Sequence, residues 1–342
     1  MKKKILEKVC LGTGDLLKDN IENRIKVLKI FYAEGGKLID TARVYHNGKS
    51  LKVLKKLNER FSLIGKPSYL AQDKNITLKK KLQDYKNLSG YNKIDFFITH
   101  WPNKNISKKN INNFLSIKKD DSVKYIGIGN PRFEELKKFY SFSNKNLDAI
   151  EIEFNIFNYF FQKKIITFCK NNKIKVFGYS PIRWCNFKKL NDSSKKIIKQ
   201  ITKRFKINFK DMSLLFSLYK NVIPIVSIKN LSRYNKMKKL NDLLYKSDLK
   251  KLIFKLEQKI RQVENIDPNK IFYLVNNNHI KLENIKLNKN ALEMVKKEIK
   301  IHKSPLKPVF LKKYRNKYLV LDGKIRCKAL YELNSKINSI IL

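Results

Sequence analysis

Acidic residues are scarce in this chain. Asp and Glu number 29 against 76 Lys and Arg, a formal net charge of +47. Such an excess invites a nucleic-acid partner, because a basic face gains affinity by releasing counterions from phosphates. The lysines, however, are spread along the whole chain among many Asn and Ile residues, as a bias toward AT-rich codons would spread them. A nucleic-acid footprint clusters Arg and Lys on one element, so the distribution weighs against that partner without closing the reading. Cysteine is also rare. Cys10, Cys169, Cys185 and Cys327 lie far apart, with no CxxC spacing and mostly in apolar contexts, which points to reduced, buried thiols in a cytoplasmic protein. His46, His100, His279 and His302 have no metal-ligand spacing with one another or with the cysteines, so no metal is expected. No run approaches the ~20 apolar residues of a membrane span. The start Met1-Lys2-Lys3-Lys4 resembles the charged end of a signal peptide, but Glu7, Lys8 and Gly12 interrupt the chain before an apolar segment can develop. A full GxGxxG is missing too, since the only early glycine cluster is Leu11-Gly12-Thr13-Gly14-Asp15.

What is present is a core-forming chain of 342 residues, 42% of them hydrophobic, enough for one large domain with an appendage. Short β-rich runs alternate with helical stretches up to about residue 260. The runs are Lys8 to Leu11, Lys37 to Ile39, Phe61 to Ile64, Ile94 to Ile98, Lys124 to Ile128, Ala149 to Ile152, Lys175 to Tyr179 and Val222 to Val226. Between them, series such as Ile21-Ile25-Leu28-Phe31-Tyr32 keep a helical period, as crossovers between parallel strands require. Eight such units argue for an α/β fold of the (β/α)8 TIM-barrel type. The turn-rich stretch through Asp267-Pro268-Asn269 and Asn276-Asn277-Asn278 marks a boundary. The expected organisation is a barrel over 1–262, a linker over 263–278 and a small α+β domain over 279–342.

Three of the runs end in polar residues with complementary chemistry: Asp40 and Tyr45 after the second, Lys66 after the third, His100 after the fourth. In neighbouring barrel strands these side chains emerge at one rim, where barrel enzymes keep their chemistry. Reduction of a carbonyl needs a hydride donor and an acid that protonates the oxygen. Tyr45 is the candidate acid and Lys66 the cation that favours phenolate as the proton leaves. Asp40 would fix Lys66, and His100 would orient the carbonyl. Taken singly, each has a plainer reading: Asp40 as a turn former, Tyr45 as a packed aromatic, Lys66 as one lysine among many, His100 as a satisfied rim histidine. Their order along the strands is what joins them.

Over about residues 5–260 the chain resembles the aldo-keto reductase family. The resemblance rests on Asp40-Thr41-Ala42-x-x-Tyr45, Thr99-His100-Trp101-Pro102, Lys124-Tyr125-Ile126-Gly127-Ile128-Gly129-Asn130, Tyr179-Ser180-Pro181 and Val222 to Asn230, in order. It implies a barrel that binds NADP, or alternatively NAD, without a Rossmann domain, with Asp40, Tyr45, Lys66 and His100 as a catalytic tetrad. It also implies cofactor contacts at Asn130 and Glu151, at Tyr179 under the nicotinamide, and at Lys229 and Arg233 against phosphate, with Ser232 a candidate cap for the helix there. The family's glutamine falls at Glu151, where a carboxylate replaces an amide. The family's adenine-contacting Glu-Asn pair falls at Lys236 and Met237. Trp101 and Trp184 are candidates to line the pocket of a small carbonyl substrate, an aldehyde or ketone that could be a sugar or sugar-nucleotide.

Residues 279–342 resemble the ParB/sulfiredoxin-type fold, on Ile280-x-Leu282-x-x-Ile285, Pro308-Val309-Phe310-Leu311 and Tyr318 to Ala329. That resemblance implies nucleotide contact by Asp322, Gly323 and Arg326, where a glycine turn, helix N-terminal amides and a guanidinium suit phosphate. A structural turn capped by Asp322 is the plainer alternative. The altered positions at Glu151, Lys236 and Met237 leave a second function open, a non-catalytic cofactor sensor or a nucleotide- or DNA-binding regulator.

Overall fold

The computed structural model describes residues 5–18, 20–66, 77–100, 106–119, 121–182, 190–227, 230–266, 271–275, 278–285, 287–302, 309–314, 317–335 and 337–341. Eight parallel strands close into a barrel in chain order: β1 (Cys10–Gly12), β2 (Leu38–Ala42), β3 (Ser62–Lys66), β4 (Ile94–Thr99), β5 (Val123–Gly129), β6 (Ala149–Glu153), β7 (Lys175–Tyr179) and β8 (Ile223–Val226). The connections carry α1 (Ile21–Ala33), α2 (Lys49–Lys55), α3 (Leu78–Ser89), α4 (Lys108–Lys119), α5 (Phe133–Phe142), α6 (Tyr159–Asn171), α7 (Asp192–Phe205) and α8 (Phe209–Tyr219). After β8 come α9 (Leu231–Lys238) and α10 (Ser247–Glu257). The eight runs expected from the sequence are the eight barrel strands.

The strands are buried on both faces, which explains their continuous apolar runs. Cys10, Ile64, Phe96, Ile98, Ala149, Phe177 and Ile225 pack together inside the barrel, while Ile39, Leu63, Phe97 and Ile150, one residue out of phase, are buried on the other face. With a side-chain period of two, the inward set continues from Leu38 to Asp40, from Ile64 to Lys66 and from Ala149 to Glu151. The polar groups thus leave the apolar core at one end of the barrel.

The abundance of Asn has local uses. Asn20, Asn191 and Asn230 cap α1, α7 and α9 by accepting from the backbone N–H three residues on. Asn47, Asn130, Asn144, Asn221 and Asn334 take positive φ, a conformation open to Asn more than to most residues. Asn230 is thus the observed cap of α9, in place of Ser232.

The chain divides into two compact units. One spans 1–155, 163–183 and 213–246 and holds the barrel strands; the other spans 156–162, 184–212 and 247–342. The second contains a mixed six-stranded sheet, in the order β11 (Asn278–Lys281), β10 (Ile271–Val275), β13 (Lys317–Asp322), β12 (Val309–Tyr314), β14 (Ile337–Ile341), β9 (Arg261–Ile266). Its core joins Ile271, Leu282, Val309, Leu311, Val320 and Ile337 to Ile299 of α11 (Lys289–His302) and Cys327, Ala329 and Leu330 of α12 (Lys324–Glu332). This corrects the expected linker over 263–278, which carries most of β9, all of β10 and the start of β11. Its turn residues lie between strands that find partners far along the chain: Ile266 opposite Ile337, Ile271 opposite Tyr318.

Candidate active site

Asp40 and Lys66 project from the inward faces of β2 and β3, whose register sets Asp40 opposite Ile64 and Ala42 opposite Lys66. Their side chains are 4% and 1% exposed, and Lys66 Nζ donates to Asp40 Oδ1. Tyr45 comes in the turn after β2, where its hydroxyl donates to Asp40 Oδ2 at 3.5 Å and Lys66 Nζ lies 5.4 Å from its ring centre. The turn leaves the strand through His46, Asn47 and Gly48, all at positive φ, and His46 Nε2 bonds the Gly14 carbonyl at 3.0 Å. His100, at the end of β4, sets its ring edge-on to Tyr45 at 6.0 Å. The four expected catalytic residues are together.

The seam between β4 and β5 holds His100 in place. Gly129 N donates to Thr99 Oγ1 at 3.1 Å, and Asn130 Nδ2 donates to the His100 carbonyl at 3.2 Å. A Cβ on Gly129 would come within 2.2 Å of the Thr99 carbonyl oxygen, so this approach requires glycine. Asn130, at φ 50, also donates its backbone N–H to the Glu151 carbonyl at 2.6 Å and accepts from the Tyr179 hydroxyl at 2.7 Å.

Glu151, which the resemblance places against a cofactor, accepts from Lys66 Nζ with both oxygens, at 2.9 and 3.0 Å. One buried ammonium thus meets two buried carboxylates. The signal was available in the period of two along β6, because Ala149 faces inward and Glu151 lies at i+2.

The surroundings move each proton affinity in a definite direction. Burial opposes the Lys66 charge, but Asp40 and Glu151 outweigh it and hold the ammonium well above the ordinary lysine value. Burial, then the charge of Asp40, pushes the Tyr45 phenol well up, with Lys66 pulling back. Burial, then Lys66, pushes His100 down to about 3, so its imidazole is neutral at neutral pH. Burial, then Asp40, pushes Glu151 up to about 7 against the pull of Lys66. A neutral imidazole donates from one nitrogen only.

Of the other expected residues, Arg233 lies half-buried in the first turn of α9, its backbone N–H bonded to Asn230 Oδ1 at 3.0 Å. Met237 is buried, while Lys236 is exposed. Trp101, Trp184 and Lys229 lie outside the described residues. In the second unit, Asp322 ends β13, Gly323 turns at φ 91, and Arg326 in the first turn of α12 donates to Asp322 Oδ2 at 2.5 Å. Cys10, Cys169 and Cys327 are buried thiols. No group of three or more potential metal ligands occurs among the described residues, and none of their helices is long and apolar enough to cross a membrane.

The family model described as "Aldo/keto reductase family" matches residues 8–253. No curated protein matches the chain. Among solved structures, the thermostable aldo-keto reductase Tm1743 in complex with the inhibitor epalrestat is 22% identical, with a TM-score of 0.63, over 73% of this chain and 94% of its own. An aldo-keto reductase from Klebsiella pneumoniae in complex with NADPH is 15% identical, with a TM-score of 0.64, over 75% of this chain and 96% of its own. The glycerol dehydrogenase AKR11B4 from Gluconobacter oxydans is 16% identical, with a TM-score of 0.62, over 74% and 91%.

Proposed function

The chain belongs to the aldo/keto reductase family, and from that premise we propose that it reduces an aldehyde or ketone with NADPH, Tyr45 acting as the general acid. The observation that carries this reading is the meeting of Tyr45, Lys66, Asp40 and a neutral His100 at the end of a closed barrel. Bound NADPH supplies a hydride to the carbonyl carbon. Tyr45 gives its proton to the carbonyl oxygen, and the charge of Lys66 stabilises the phenolate until solvent returns a proton. Asp40 fixes Lys66 through their buried ion pair. His100 donates to the carbonyl oxygen and sets its approach.

The residues present fit the cofactor. Asn130, with one N–H on the His100 carbonyl and its oxygen on Tyr179, keeps a second N–H and a second lone pair for a carboxamide. The half-buried Tyr179 ring offers a face to a planar heterocycle, and Arg233 at the start of α9 offers a guanidinium and the helix N-terminus to phosphate. The solved relative from Klebsiella pneumoniae that carries NADPH supports NADP as the cofactor. The substrate class is a small carbonyl compound, a sugar or sugar-nucleotide among them. For the second unit we propose a nucleotide-binding role of the ParB/sulfiredoxin type at Asp322, Gly323 and Arg326, supported by the strand, glycine turn and helix that carry them. The buried thiols support a cytoplasmic location.

Titration of the purified protein with NADPH and with NADH, followed by nicotinamide fluorescence, tests the reading. Saturable binding of NADPH is expected, and binding of neither cofactor would sink it.

A further inference from the structure

Lys66 has three N–H groups, and Asp40 and both oxygens of Glu151 accept from them, while the Tyr45 ring centre lies 5.4 Å from Nζ. When both carboxylates are ionised, this interior set carries one net negative charge. Proton donation by Tyr45 adds another in a place where burial leaves little water to screen it. The carboxylate on β6 therefore opposes the step that Lys66 assists. We propose that Glu151 is a positioning residue that draws the charge of Lys66 away from Tyr45, so that ionised Glu151 restrains carbonyl reduction and protonated Glu151 releases it.

The proposal rests on the reductase reading of the same site. It assigns Glu151 no contact with substrate, since its carboxylate acts through Lys66. The groups that face it are Cys10 from β1, Asp40 from β2 with Tyr45 in the turn beyond, and Lys66 from β3. The neighbouring strand β5 brings Gly127 and Gly129 beside Glu151 and Tyr125 further down the interior, against Phe96, while β7 brings Tyr179, opposite Glu153 two residues further along β6. His100 joins the set through Lys66. Lys66 is the cation among these groups, and Glu151, bonded to it through both oxygens, is pushed up to about 7. Burial and Asp40 both raise its proton affinity in support.

The test measures kcat for reduction of 4-nitrobenzaldehyde by NADPH between pH 5.5 and 8.5, in the native enzyme and in Glu151→Gln. Thermal unfolding and the Kd of NADPH are followed over the same range. Native kcat is expected to fall about ten-fold as pH rises through neutrality, and the Glu151→Gln profile to be flat and about ten-fold higher at pH 8. Parallel kcat profiles, or a change confined to the Kd of NADPH, would overturn the proposal and leave the reductase reading intact. If neither protein turns over, the reductase reading and the restraint on catalysis fail together. The melting curves separately decide the pairing. A buried carboxyl of raised affinity holds its proton in the native state while the unfolded chain has lost it, so native stability falls as pH rises from about 4.5 to about 7. That fall is expected to be absent from Glu151→Gln, and identical melting profiles would reject Glu151 as a titrating partner of Lys66.

Discussion

The closed barrel and the open C-terminal sheet each carry an ion pair near a strand end, and the two pairs differ in how much water reaches them. In the barrel the Lys66 and Asp40 side chains are 1% and 4% exposed; in the sheet unit Arg326 and Asp322 are 18% and 28% exposed. Closure explains the contrast, because a closed sheet turns alternate side chains toward an axis that its own apolar layers seal from solvent. An open sheet places the comparable residues at a wet strand-to-helix junction. The same chemistry of carboxylate and cation therefore perturbs proton affinities in the barrel, where desolvation amplifies every charge. At the junction the pair spans the glycine turn that opens α12.

The largest expected effect tests the barrel's claim to chemistry. Tyr45→Phe removes the acid and little else, so turnover with NADPH should drop about 1,000-fold while the Kd of NADPH stays within about two-fold. Retained turnover would remove Tyr45 from its role. Next in size, Lys66→Met leaves two carboxylates buried without a cation. Urea unfolding should show a loss of about 3–5 kcal/mol, and a loss below about 1 kcal/mol would erase the contrast with the open sheet.

Acid should expose the same contrast through His100. Its native affinity is depressed to about 3 from 6.5, so the unfolded chain binds a proton that the native state refuses. Stability should decline as pH falls from about 6.5 toward 3, less steeply in His100→Gln than in the native protein, as read from melting temperatures. At the barrel rim, Arg233→Ala should weaken NADPH binding by about ten-fold and NADH binding hardly at all, which fluorescence titration would separate. The smallest change belongs to the sheet unit. Arg326→Ala should cost less than about 1 kcal/mol in unfolding experiments, since its pair is partly solvated. Loss of ATP binding by that variant, measured calorimetrically, would support the nucleotide reading, and unchanged binding would reject it.

Residues near one another along a strand or in the turn that ends it were readily legible. The run ending at Asp40, the turn to Tyr45 and the run ending at Lys66 each declare their direction by alternation, and the barrel repeats that declaration eight times. Glu151 obeyed the same alternation, yet its partner is 85 residues away and its chemistry was assigned from a resemblance in which that position holds an amide. In the second unit, Asn and Pro around residues 267–269 signalled a break, and those residues lie outside the described ones, between β9 and β10 in the chain. The signal did not reveal that β9 pairs with β14, more than 70 residues onward. The Asn residues, read only as a compositional bias, cap helices and occupy left-handed turns.

By itself the sequence determined the strand periods, the order of Asp40, Tyr45, Lys66 and His100, and the strand–glycine–helix junction at Gly323, because each depends on backbone preferences and side-chain alternation over a few residues. Only the tertiary structure decided that Glu151 lies against Lys66 and that the segment between the two expected domains belongs to a sheet. Both are pairings across long stretches of chain. Such pairings are set by which surfaces can be buried together, and no local preference encodes the partner.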